Sequence, residues 1–93
     1  METSLPQLKI DIEPIRLLFT SEPYVVFTKR GYQAAANVFD QKRRTEHFIY
    51  LGAQSLAEQL EVLRAHNEGR LRGIEVWIRK KDPTKFAKYY VEE

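Results

Sequence analysis

The sequence contains no cysteine. That absence excludes disulfide cross-links, thiolate catalysis and cysteine-ligated zinc together, and it suits a reducing compartment. Glycine is scarce, with four residues in 93 that never cluster, so no glycine-rich loop is expected to cradle a phosphate. No apolar run approaches the ~18 residues needed to span a bilayer. Met1 is followed by Glu2, and no basic segment leads into an apolar stretch; no secretory signal is therefore expected, and the cytoplasm, or the host cytoplasm for a viral chain, is the expected location. Histidine is limited to His47 and His66, neither with an acidic partner at metal-ligand spacing, and Ser21 and Ser55 have no nucleophile context. Asp40, Glu46 and Asp82 sit singly on turns. No catalysis, metal or cofactor is expected.

What is present describes one small globular domain. With 43% apolar and 30% charged residues the chain is too hydrophobic for disorder, and at 93 residues it can bury roughly 60–65% of its unfolded surface. The net charge is only +2, but it is unevenly placed. Residues 29–44 carry five basic and one acidic residue, and residues 70–88 carry seven basic and two acidic. The rest is acidic: −2 over residues 1–28, −3 over 45–69 and −2 over 89–93.

Residues 1–13 alternate loosely through Leu5, Leu8, Ile10 and Ile12 around Pro6, which predicts an arm lying along the body. Residues 15–20 and 24–28 are rich in strand formers, and the interruption at Ser21-Glu22-Pro23 predicts a bend within one long strand rather than two separate strands. Lys29-Arg30-Gly31 makes a tight turn, with Gly31 free to take positive φ. A second strand runs over residues 32–40, with Ala34, Ala36 and Val38 on one face and Gln33, Ala35, Asn37 and Phe39 on the other. Its three alanines fit a helix as readily. A turn carrying Lys42, Arg43 and Arg44 leads to a third strand over 46–51, where Ile49 and Leu51 face the core and Phe48 and Tyr50 the opposite side. Ser55-Leu56-Ala57-Glu58 fits a capping box, Leu56, Leu60 and Leu63 form one apolar stripe, and Gly69 is a natural stop. Residues 73–91 close the chain as a hairpin turning at Asp82-Pro83-Thr84-Lys85. In its first strand Ile74, Val76 and Ile78 alternate with Glu75, Trp77 and Arg79.

Three strands, a helix and a closing hairpin, with a long bent first strand, resemble the oligonucleotide-binding (OB) fold. The stretch from Leu71 through Tyr89 and Val91 further resembles the closing hairpin of small single-stranded DNA-binding proteins of the SSB/RPA-like kind. The resemblance implies a mainly β, five-stranded OB-fold barrel over residues 14–93, with one helix between strands three and four and an N-terminal arm over 1–13. It also implies a binding face on strands two and three, flanked by the loops at Lys29-Arg30 and residues 79–88, both of which coincide with the basic blocks. Non-catalytic binding of single-stranded nucleic acid follows as the expected function, by resemblance DNA of the kind exposed in DNA replication, with RNA left open. The acidic tail with which bacterial single-strand binders recruit partners does not follow Glu93, so that route of recruitment is not expected.

Aromatic planes meet unpaired bases and cations meet phosphates. The expected planes are Trp77, Phe48, Tyr50, Phe39 and Phe86, with Tyr32 and Tyr90 as further candidates; the expected cations are Lys29, Arg30, Arg43, Arg44, Arg79, Lys80, Lys81, Lys85 and Lys88. With about 4–6 phosphates neutralised, log affinity would fall with log salt at a slope of roughly −3 to −4. Three readings stay open. Trp77 could instead cover an end of the barrel or pack on the arm; the domain could be a protein-interaction module, as a homodimer or in a larger complex; or it could bind structured RNA by shape, with cations and without stacking.

Overall fold

Two-residue alternation of apolar and polar side chains builds six of the seven elements that a computed structural model describes over residues 5–84 and 87–93. In chain order these are β1 (Ile15–Phe19), β2 (Tyr24–Thr28), β3 (Gly31–Asp40), β4 (Thr45–Tyr50), α1 (Gln54–His66), β5 (Glu75–Lys80) and β6 (Tyr89–Glu92). All strand pairs are antiparallel, in the order β2-β3-β1-β5-β6, with β4 also paired to β3. No described helix is long and apolar enough to cross a membrane.

One sheet face supplies the core. Leu17 and Phe19 of β1, Val38 of β3, Ile49 of β4 and Val76 and Ile78 of β5 are fully buried, and Leu56 and Leu60 of α1 pack onto them. Each such burial contributes about 1.5–3 kcal/mol. Leu8 and Ile10 of the N-terminal segment enter the same cluster.

The alanine-rich stretch is strand: β3 extends to Gly31, and Gly31 takes φ 103° to close the turn from β2. The expected single bent strand is two. β1 and β2 lie along β3 in sequence, Phe19 opposite Val38 and Tyr24 opposite Ala35, but four residues bridge what only two span on β3. Pro23 has no N–H for a ladder, and the Ser21 hydroxyl instead accepts the Asn37 N–H at 3.0 Å.

The five-stranded barrel is not formed. Six strands make an open sheet, and among the described residues no ladder joins β4 to β6. Both edges that closure would use are occupied. On β6, the Gln59 side chain donates to the Tyr89 carbonyl at 2.7 Å and accepts the Val91 N–H at 2.9 Å, so one amide side chain stands where a neighbouring peptide group would. On β4, Phe48 donates to the Pro6 carbonyl at 3.0 Å and accepts the Leu8 N–H at 2.9 Å. The N-terminal segment then crosses to β5, where the Asp11 carbonyl accepts the Lys80 N–H at 2.8 Å.

The capping box is also absent. The helix starts two residues earlier, with Ala53 as its N-cap and no side-chain cap, while the Ser55 hydroxyl accepts the Tyr89 N–H at 3.0 Å. Edge satisfaction at β6 has taken the serine that local pattern assigns to the helix. At the other end the helix stops at His66, ahead of Gly69: Glu68 turns to φ 59° and Gly69, at φ 78°, donates to the Arg64 carbonyl.

Glu22 ties the bend before β2 to the loop before β5, its two carboxylate oxygens accepting the Leu71 and Arg72 N–H groups at 2.9 and 3.0 Å. Those bonds favour the charged form and hold its pKa below the ordinary 4.5. A depressed folded pKa contributes stability that is present above the unfolded value and lost as pH falls through the folded one. Glu22→Gln is therefore expected to lower Tm at neutral pH, and the gap to the native chain to narrow as acid protonates Glu22. Thermal melts across pH 2–7 check this, and a gap that stays constant throughout refutes it.

Candidate functional site

The sheet face opposite the core gathers Phe39, Phe48, Tyr50 and Trp77 of the expected rings, whereas Tyr32 keeps the register of the core face. Register places Tyr24 of β2 and Tyr50 of β4 on either side of Ala35, and puts Phe48 opposite Asn37. Phe39 lies between Leu18 and Glu46 on the same face. Ala35 is fully buried although it points away from the core, because the flanking tyrosines cover it. Phe48 and Tyr50 meet edge to face, with centroids 5.3 Å apart, and the Tyr24 hydroxyl donates to the Asn37 side-chain oxygen. The result is a shelf of rings with a small-residue floor and an amide within it.

At one end of this shelf stands the β2–β3 turn. Lys29 and Arg30 are exposed there and line a shallow depression with Thr28, Gln33, Gln7 and Tyr50. The Thr28 hydroxyl fixes the turn, donating to the Gly31 carbonyl and accepting the Arg30 N–H.

Trp77 belongs to the same face but to its far side, on β5. The residue is 46% exposed, which supports neither full burial in an interior nor a bare platform. The Arg16 guanidinium lies over it at 5.6 Å while its Nε holds Glu75 at 3.1 Å. Arg79 stacks on Tyr90 at 4.6 Å, and Glu92 pairs across from Trp77. Two arginines and two glutamates thus balance around the indole. A depression beside it is lined by Arg43, Lys42 and Lys9, but also by Asp11 and Glu13.

The remaining expected cations scatter. Arg44 closes the β3–β4 turn at φ 57°, a backbone position fixed by Asp40, whose buried carboxylate accepts the Lys42 and Arg43 N–H groups. Lys80 shares the register face of Ile78 and lies 5.9 Å from the Tyr89 ring, away from the shelf. Lys81 donates its backbone N–H to the Lys88 carbonyl, and Lys88 lines a groove with Ser55 and Glu58 at the start of α1. Lys85 and Phe86 lie outside the described residues. In the Asp82 turn the carboxylate accepts from both the hydroxyl and N–H of Thr84, which lowers its pKa.

Tyr24, Asn37 and Arg16 were not among the expected site residues. The signal for Tyr24 and Arg16 was parity: the bridge between β1 and β2 exceeds its β3 counterpart by two residues, so the even-numbered positions of the two strands stay on one face. Asn37 carried no comparable signal, since an amide on a polar face is unremarkable until a tyrosine hydroxyl is found bonded to it. Among the described residues no three acidic or histidine side chains cluster to hold a metal. No protein-family model matches the chain, and neither a curated protein nor a solved structure matches it.

Proposed function

We propose that the chain binds single-stranded nucleic acid without catalysis, laying bases on the ring shelf of β3 and β4 and backbone phosphates along the basic turns at either end. The observation that carries this reading is the sharing of one sheet face by Tyr24, Tyr50, Phe48 and Phe39, with Lys29 and Arg30 beside Tyr50 and Arg43 at the opposite turn. Rings that are only partly buried on a sheet leave part of their surface for stacking, which any base can use, so little sequence preference is expected. The acidic residues Glu58 and Glu61 of α1 lie in the other layer, behind the core, and do not oppose a phosphate path on the shelf. DNA is preferred over RNA by the OB-like element order alone.

The test is a titration of labelled oligothymidylate, a duplex of the same length and a folded RNA at several salt concentrations. Preference for the single strand is expected, with a log–log salt slope of about −3 if four cations each meet a phosphate. A slope near zero, or stronger binding to duplex or folded RNA, overturns the reading.

A further inference from the structure

We propose that two copies of this chain pair edge to edge through β2, forming a two-fold dimer in which Val25 of each copy faces Phe27 of the other. β2 ends the strand order, with β3 on one side and, among the described residues, no partner on the other. Which backbone groups are left over follows from alternation. The Ala34 carbonyl is spent on the Leu51 N–H, toward β4, so Val25 opposite it makes a non-hydrogen-bonded pair with β3. Phe27, two residues on and opposite Tyr32, does the same. Both therefore turn N–H and C=O out of the free edge.

Their side chains are left over too. Val25, Phe27 and Tyr32 are 61, 76 and 75% exposed, and the Phe27 and Tyr32 rings meet edge to face at 5.1 Å. They follow the register of the core face but lie beyond its buried cluster. Exposed edges are normally guarded by a charge, a proline or a bulge, and the strand Tyr-Val-Val-Phe-Thr contains none of these.

The strand is complementary to itself. Turned about Val26, it sets Val25 against the second copy's Phe27 and Phe27 against its Val25, two aromatic to β-branched pairs that exchange four hydrogen bonds. Pro23, with no N–H, limits the ladder to those pairs. The same rotation brings the Lys29-Arg30 turn of each copy alongside Glu22 of the other, whose carboxylate also accepts the Leu71 and Arg72 N–H groups, so opposite charges face each other at both ends. Two rings and a valine per copy, at about 150–250 Å² per ring, make a small interface, and the dimer is reversible. It leaves the ring shelf open, because Tyr24 and Tyr50 lie on the opposite face. The pairing uses the Lys29-Arg30 turn, which the proposed phosphate path also uses, but none of the shelf rings, and its test contains no nucleic acid.

Sedimentation velocity of the full chain over a range of concentrations provides the test. The native chain is expected to pass from one to two copies as concentration rises, while V25K/F27K and V25E/F27E each remain single and an equimolar mixture of the two pairs again. Val26→Cys, in a chain with no other cysteine, places two thiols at the dyad, where Cα atoms of a non-hydrogen-bonded pair lie about 4.5 Å apart, within disulfide reach. It should cross-link on oxidation, whereas Val62→Cys on the exposed side of α1 should not. A native chain that stays single at every concentration, a dimer that persists in V25K/F27K, charged variants that fail to pair when mixed, or equal cross-linking at both cysteines overturns the proposal.

Discussion

Phe19→Ala is expected to lower the free energy of unfolding by about 3–5 kcal/mol. Phe19 is 1% exposed at the centre of the core, and its backbone holds the loop before β5 by two bonds, donating to the Ile74 carbonyl and accepting from the Gly73 N–H. Little around it can collapse into the space left behind, because Leu17, Val38 and Val76 are themselves held in strand register. A chain of this length has roughly 5–14 kcal/mol in total, so the loss is about a fifth of its stability or more. Urea denaturation followed by circular dichroism measures it. Val62→Ala, on the exposed side of α1, should stay within about 0.5 kcal/mol of the native chain, and a comparable loss there would mean the core has been misplaced.

Tyr50→Ala is expected to weaken single-strand binding by about 1–3 kcal/mol, roughly five- to 150-fold, while Trp77→Ala costs less than half as much. The order follows from what each ring already touches. Tyr50 stands beside Lys29 and Arg30 with Phe48 against its edge, whereas Trp77 is covered by Arg16 and ringed by balanced charges. Anisotropy titrations with labelled oligothymidylate distinguish them, with circular dichroism confirming that each variant remains folded. Equal losses, or a larger one at Trp77, would move the stacking platform to β5.

Local chemistry was readable from the sequence wherever one element decided it alone. Gly31 needed positive φ, the leucines of α1 needed a core, and Ile49 and Leu51 had to oppose Phe48 and Tyr50; all are found so. What failed was anything settled between distant segments. Ser55 has the spacing of a helix cap but serves the Tyr89 N–H, a partner that helix periodicity says nothing about. Closure of the barrel failed for the same reason, since Gln59 looks like any polar helix residue until β6 is set beside it. For the candidate site, parity gathered Phe39, Phe48, Tyr50 and Trp77 on one face, as alternation predicts within each strand. Charge counting did less well. It found the basic turns but not the pairing of Arg16 with Glu75, nor the placement of Lys80 and Lys88 away from the rings.

The strap that runs from Phe48 to Lys80 also orders events in time. Residues 5–11 leave the ribosome before anything they bond to exists, and they find their places only once β4 and β5 have been made. Loop-closure entropy sets the same sequence in refolding from denaturant, because these distant contacts become favourable only after the nearer hairpins have brought their ends together. Until then Leu8 and Ile10 are in water and the hydrophobic cluster is short of two members, so residues 5–11 are expected to settle after the hairpins they bridge.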